Sequence, residues 1–170
     1  MFIRKLSLII LSLRRNKKRI LAFSWLTGIL LGAWFAQSMD ASLRALVLDI
    51  TRQALTLWSS LWAACCPVLL TAFASHYGVG WVLFVSSFLG FRFGFSCCAI
   101  QLTFGSSGWL IQLLYLFPDY LLIPWLYFLW LRLISKRSDA PRGFAILFFL
   151  ALLLGLIQFR VISPFLSSLF

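Results

Sequence analysis

The chain has 170 residues, 62% hydrophobic and 18% aromatic, and its fifteen Lys and Arg against four acidic side chains give a formal net charge of +11. With a mean hydropathy of +0.99, too little polar sequence remains to coat a water-soluble domain, and the basic excess is not read as a nucleic-acid-binding surface. Glu is absent and the one His stands alone, so no constellation with metal-ligand or acid–base spacing is present; neither an enzyme nor a cofactor is expected.

The first 19 residues hold Arg4, Lys5, Arg14, Arg15, Lys17, Lys18 and Arg19, with Leu6, Ile9, Ile10 and Leu13 at helical spacing. This pattern predicts an amphipathic helix over 2–15 lying on the inner membrane surface, with the basic block 14–19 against anionic lipid headgroups. The apolar run that follows, 20–39, outlasts the ~7 to 15 residues of a signal-peptide core and reads as a retained span. It carries Gly28-x-x-x-Gly32, a spacing that lets a second helix approach closely. Over 40–53, Leu43, Leu46, Val47 and Ile50 share a face apart from Arg44, Asp49 and Arg52, and Asp40 is placed to cap a helix. That segment is expected on the outer surface, as an elbow returning the chain to lipid or as a docking face for an exterior protein.

The second run, 54–74, ends in a short turn containing His76, and the third, 79–100, carries Gly90-x-x-x-Gly94 and Arg92. After an outer loop at 101–108 comes the fourth run, 109–134, with Pro118, Asp119 and Pro124; the fifth covers 144–162. Each run supplies close to the roughly 20 residues that a helix rising about 1.5 Å per residue needs to cross about 30 Å of hydrocarbon. The fold class is therefore an all-α polytopic integral membrane bundle of about five helices, a single domain over 1–170.

Charge sets the expected orientation. With the N-terminus inside, the cytoplasmic side receives the seven leading cations plus Arg132, Lys136, Arg137 and Arg142, whereas the exterior receives Arg44, Arg52 and Arg160. The C-terminus is then outside. Within the spans Arg92 and Asp119 remain, at estimated depths of about 12 and about 15 Å from the outer end. Ionisable groups at that depth cost at least ~2.5 kcal/mol and face protein or water, so the two are expected either to pair or to line an ion or proton path. Pro118 and Pro124 are expected to kink or split the fourth helix. The glycine motifs serve either packing within the chain or a homo-oligomer. Cys65-Cys66 and Cys97-Cys98 lack metal or redox spacing and read as small apolar packing residues, an exterior disulfide between Cys97 and Cys98 remaining open.

The stretch Phe88-Leu89-Gly90-Phe91-Arg92-Phe93-Gly94-Phe95, the turn Gly105-Ser106-Ser107-Gly108 and Leu116-Phe117-Pro118-Asp119-Tyr120-Leu121-Leu122-Ile123-Pro124 together resemble the core of the stage II sporulation protein M family. The similarity covers roughly 72–134. Asp119-Tyr120 stands where that family has an amide or His followed by Asn or Gly, and Phe117 replaces its usual Leu. The resemblance implies a non-enzymatic scaffold of the cell membrane, enriched at the sporulation septum. There it would anchor and localise peptidoglycan-degrading proteins of the stage II sporulation D and P types for septal wall thinning and engulfment. The alternative is a permease subunit of a multi-component, ATPase-driven transporter, because a broken helix with an intramembrane Asp is also how translocation sites are built.

Overall fold

The computed structural model describes residues 16–43, 56–134 and 140–165. The expected surface helix at 2–15, the 40–53 segment beyond Leu43 and the basic joint 135–139 lie outside the described residues. Helix α1 is Lys17–Ser38, α2 is Leu57–Tyr77 and α3 is Val79–Phe104. A single 3₁₀ turn, Gly105–Ser107, leads into the short α4, Gly108–Tyr115. Helix α5 is Phe117–Ile134, and α6, Ala140–Ile157, runs on into a π-helical turn, Gln158–Ile162.

No strand occurs among the described residues, and five helical stretches are long and apolar enough to cross a membrane: Lys18–Ser38, Leu57–Tyr77, Val79–Phe104, Phe117–Ile134 and Gly143–Phe165. The chain is a multi-pass membrane protein. Its exterior agrees, since Phe23, Trp34, Trp58, Phe128, Ile146 and Phe149 each leave more than half of their surface outside the bundle. In water such a continuous apolar coat would aggregate; in lipid it is solvated. The interior is a contiguous cluster that includes Leu21, Val68, Leu89, Leu122, Leu126, Trp130 and Leu154.

The second span differs from expectation at both ends. Helix α2 starts at Leu57, where Thr56 Oγ1 accepts the Ser59 N–H at 3.3 Å and so satisfies one of the donors that a helix start leaves unpaired. It continues to Tyr77, so His76 lies in its last turn and the reversal falls on Gly78 alone, at φ +102°, a region that glycine enters without a Cβ clash. The fourth run, expected to kink or split at its prolines, forms two helices. Pro118 has no N–H for the Leu114 carbonyl and its ring crowds that oxygen, so α4 stops at Tyr115. As the second residue of α5, the same proline loses a donor that would have been unpaired anyway. Helix α5 passes through Pro124 without interruption, so of the two prolines only Pro118 marks a break. At Pro124 the ladder is established on both sides, and one missing bond does not end it.

The tightest interface joins α1 to α3, and both glycine motifs are spent on it. A Cβ on Gly28 or Gly32 would strike the backbone of Ser87, Phe91 or Phe95, and one on Gly90 or Gly94 would strike the backbone of Trp25 or Ile29. At this separation side chains can bond across: Ser24 Oγ donates to the Leu83 carbonyl at 2.8 Å, and Ser87 Oγ donates to the Ser24 carbonyl at 2.9 Å. Contacts advance in step along both helices, which makes α1 and α3 parallel with α2 antiparallel between them in sequence. Aromatic rings seal the seam, with Phe35 6.1 Å or less between centroids from both Phe91 and Phe95. Each of these contacts lies within one chain.

Gly94→Leu, which drives a side chain into the Ile29 backbone, should lower folding stability by about 3 kcal/mol. Gly80→Leu meets open space and should change it little. Thermal unfolding of the detergent-purified proteins, followed by monodisperse fraction on gel filtration, checks the difference.

Candidate functional site

Prolines in α2 and α5 remove backbone donors, and one side chain addresses both regions. Pro67 lies inside α2 and lacks the N–H that would pair with the carbonyl of Ala63, four residues earlier. Arg92, the fourteenth residue of the 26-residue α3 by its start at Val79, extends across the bundle to that carbonyl. Its Nη1 donates to Ala63 O at 3.4 Å, a long bond. Its Nη2 donates to both oxygens of Asp119, 2.5 Å to Oδ1 and 2.6 Å to Oδ2.

Asp119 is the third residue of α5, just beyond the break, rather than a mid-span charge. There the partial positive charge of the helix start adds to that of the guanidinium in favouring a carboxylate. The Asp119 side chain is 11% exposed and that of Arg92 32%. Arg92 thus ties α2, α3 and α5 together, and removal of either charge would strand the other. Tyr120 turns the opposite way, its ring edge-on to Phe93 at 5.4 Å and its hydroxyl accepting from Gln112 Nε2 at 3.0 Å.

The break between α4 and α5 is also held from α6. At the π turn Gln158 is 4% exposed, and its Nε2 donates to the Tyr115 carbonyl at 3.0 Å. Single π turns widen a helix by one residue and re-aim side chains, and they recur at functional sites. Gly155, one turn earlier, lets α6 lie against the backbone of Ser60 and Leu61 on α2.

Between these elements is a cavity of about 220 Å³ whose polar lining comprises Ser59, Ser60, Arg92, Ser96, Asp119 and Gln158. Two buried side-chain oxygens in that lining, Ser60 Oγ and Gln158 Oε1, have no hydrogen-bond partner within the protein. The starts of α2 and α5 and the end of α6 meet here, so the cavity belongs to one end of the bundle. Toward the opposite end Trp130 Nε1 donates to Thr71 Oγ1 at 3.1 Å, which in turn donates to the Pro67 carbonyl at 2.8 Å, while the buried Ser86 Oγ has no partner within the protein.

The structure thus brings Arg92, Asp119 and Pro118 to one place, assigns Gly28, Gly32, Gly90 and Gly94 to packing, and leaves Pro124 away from the cavity. All four cysteines are free thiols. Cys97 accepts from Gln112 Nε2 at 3.1 Å, with no disulfide to Cys98. Sequence reading missed Ser60, Ala63 and Gln158. The signals were present: Pro67 minus four identifies Ala63, and Gln158 is a lone amide in the fifth apolar run. Among the described residues no group of three or more His, Cys, Asp or Glu converges in a metal-binding arrangement. Comparison of the chain with protein-family models, curated proteins and solved structures gives no match.

Arg92→Gln and Asp119→Asn should each lower stability by about 3 kcal/mol, because each leaves a buried charge without its partner. The double variant should lose less than the sum by at least about 1 kcal/mol. A double-mutant cycle on unfolding midpoints and on steady-state level in the membrane measures the coupling; additive losses would mean that the pair carries no energy.

Proposed function

We propose that the protein is a non-enzymatic integral-membrane scaffold of the stage II sporulation protein M type, placed in the cell membrane and enriched at the sporulation septum. In this reading it anchors and localises peptidoglycan-degrading proteins of the stage II sporulation D and P types. The observation that carries it is the adjacency of the three motifs behind the resemblance. The Phe- and Gly-rich helix supplies Arg92, the Gly105–Ser107 turn returns the chain, and the proline motif supplies Asp119, so that all three converge on one ion pair. Such convergence explains why these residue types occur together in one stretch of sequence.

The orientation belongs to the same proposal, with the N-terminus inside and the C-terminus outside. Tyr127 Oη donates to the Lys18 carbonyl at 3.3 Å, which brings the second half of α5 alongside the start of α1. Lys18 and Arg19 at the start of α1 and Arg132 in the last turn of α5 therefore lie toward the same end of the bundle, which agrees with the positive-inside rule for a cytoplasmic face. The ends of α1 and α3 and the start of α2 then point toward the wall, where partners would dock.

A second reading, a permease subunit working with an ATPase and further membrane subunits, is favoured by the polar cavity beside a broken helix. The two readings part on their partners. A tagged full-length protein, crosslinked in cells and purified, should bring down secreted wall hydrolases; recovery of an ATPase with other membrane subunits instead would replace the scaffold reading by the second. A C-terminal alkaline phosphatase fusion should be active and a C-terminal green fluorescent protein fusion dark, and the reverse pair of results would overturn the orientation.

A further inference from the structure

The Arg92–Asp119 pair has a partly polar wall on one side of it and a closed apolar layer on the other. On the first side are the opening turns of two helices: Ser59 is the third residue of α2, Ala63 the seventh, and Asp119 the third of α5. At about 1.5 Å per residue, the Ala63 carbonyl that Arg92 reaches lies only about 10 Å below the Thr56 cap of α2. Arg92 itself is halfway along α3. Its guanidinium therefore extends toward the near end of the bundle, the direction in which a long cationic side chain in a membrane carries its charge to water. Ser59 and Ser96 line that route, with Ala63, Leu116 and Pro118 between them.

Beyond the pair the bundle closes. The next layer takes one residue from each of four helices: Val68 on α2, Leu89 on α3, Leu122 on α5 and Leu154 on α6. None is more than 5% exposed, and all four belong to one contiguous apolar cluster. Leu126, Trp130 and Ala151, deeper still, are buried in the same cluster.

Arg92 is not sealed in this way, since about a third of its side-chain surface, 32%, is open. A guanidinium has five N–H donors. Here Nη2 serves Asp119, while Nη1 makes only the 3.4 Å bond to Ala63. Donors turned toward hydrocarbon would go unmatched, whereas water matches them. The cavity on whose wall they lie, about 220 Å³, has room for about seven waters at the roughly 30 Å³ each occupies in the liquid. Arg92, Asp119, Ser59 and Ser96 supply the polar partners that keep water in such a space.

We infer that this cavity is an aqueous vestibule, open at the end where α2 and α5 begin and closed beyond the ion pair by Val68, Leu89, Leu122 and Leu154. Small water-soluble solutes reach Arg92 and Asp119 from one face of the membrane only. The vestibule goes beyond the scaffold reading and stands apart from it, because each of these walls belongs to this chain; in the orientation proposed above, its open face is the exterior.

The test uses full-length protein in sealed membrane vesicles, with the four native cysteines replaced by alanine and single cysteines introduced. The probe is 2-(trimethylammonio)ethyl methanethiosulfonate, a permanently charged reagent that does not cross the bilayer; it forms a mixed disulfide with a thiolate and releases methanesulfinate. Ser96→Cys, in the cavity wall one turn from Arg92, should react about tenfold or more faster from one face than from the other. Gly80→Cys, in open space at the opposite end of α3, should react from the other face. Val68→Cys, in the closing layer, should react about tenfold or more slowly than Ser96→Cys from either face. A Ser96→Cys thiol that reacts from neither face, or equally from both, would overturn the vestibule. The unaltered protein gives a second measurement in detergent. Hydroxyl radicals formed from water by a brief X-ray pulse should oxidise Leu116 and Pro118, which line the cavity, about fivefold or more faster than Leu122 and Leu126. Equal rates would also overturn it. Reaction of Ser96→Cys from the cytoplasmic face alone would support the vestibule and overturn the orientation, and neither outcome alters which partners are recovered from cells.

Discussion

Arg92 is the interaction on which the bundle's arrangement depends. A guanidinium halfway along a membrane helix is tolerable only if its charge is cancelled and its donors are used. Here the charge is met by Asp119 and one donor reaches the Ala63 carbonyl. Both acceptors exist because of proline. Pro67 frees the Ala63 oxygen within α2, and Pro118 starts α5 so that Asp119 sits in a first helical turn. The prolines and the arginine form one device: backbone irregularity in lipid must be satisfied from within the protein, and Arg92 is the group that helps satisfy it.

That device works only if α3 is held rigidly, which is the contribution of the glycines. Gly28 and Gly32 on α1 interlock with Gly90 and Gly94 on α3 so closely that a Cβ at any of the four would meet backbone. Gly90 and Gly94 flank Arg92 at two residues on either side, and helical geometry puts them on the face away from the cavity. One face of the same turn and a half is therefore flush against α1 while the other projects a charge into the bundle. In lipid, where burying apolar surface between helices has little driving force, such close backbone packing and the Ser24–Ser87 hydrogen bonds supply the cohesion.

Much of this was legible in the residues. Run length and hydropathy marked five spans, and the scarcity of intramembrane charge singled out Arg92 and Asp119. Periodicity failed where the chain changes helix type without changing composition. Hydropathy alone carries no sign of the break in the fourth run, because Leu116, the residue at the break, is as apolar as its neighbours, and none that Gln158–Ile162 is π-helical. Of the two prolines in the fourth run, Pro118 stands at the break between α4 and α5, whereas α5 runs through Pro124. The same rule was never applied at Pro67, because a proline in the middle of an apolar run with no charge beside it in sequence shows its consequence only across the bundle. Ser60 and Gln158 escaped for a related reason: each is unremarkable on its own helix, and they matter because α2 and the π turn of α6 face each other.

The ion pair alone does not explain the polarity around it. If Arg92 and Asp119 served only to fix helix rotation, the least costly surroundings would be apolar and tightly packed, since a well-packed apolar substitute for a buried pair is often neutral or stabilising. What surrounds them is a cavity with three serines and a glutamine in its lining, two of whose oxygens are unpaired. The opposite end of the bundle shows what this sequence does when a polar group has a purely structural task, with Trp130, Thr71 and the Pro67 carbonyl joined in an unbroken chain of hydrogen bonds. Charge pairing and irregular backbone therefore coincide at the α4–α5 break, where Arg92 meets Asp119 and Gln158 meets the Tyr115 carbonyl.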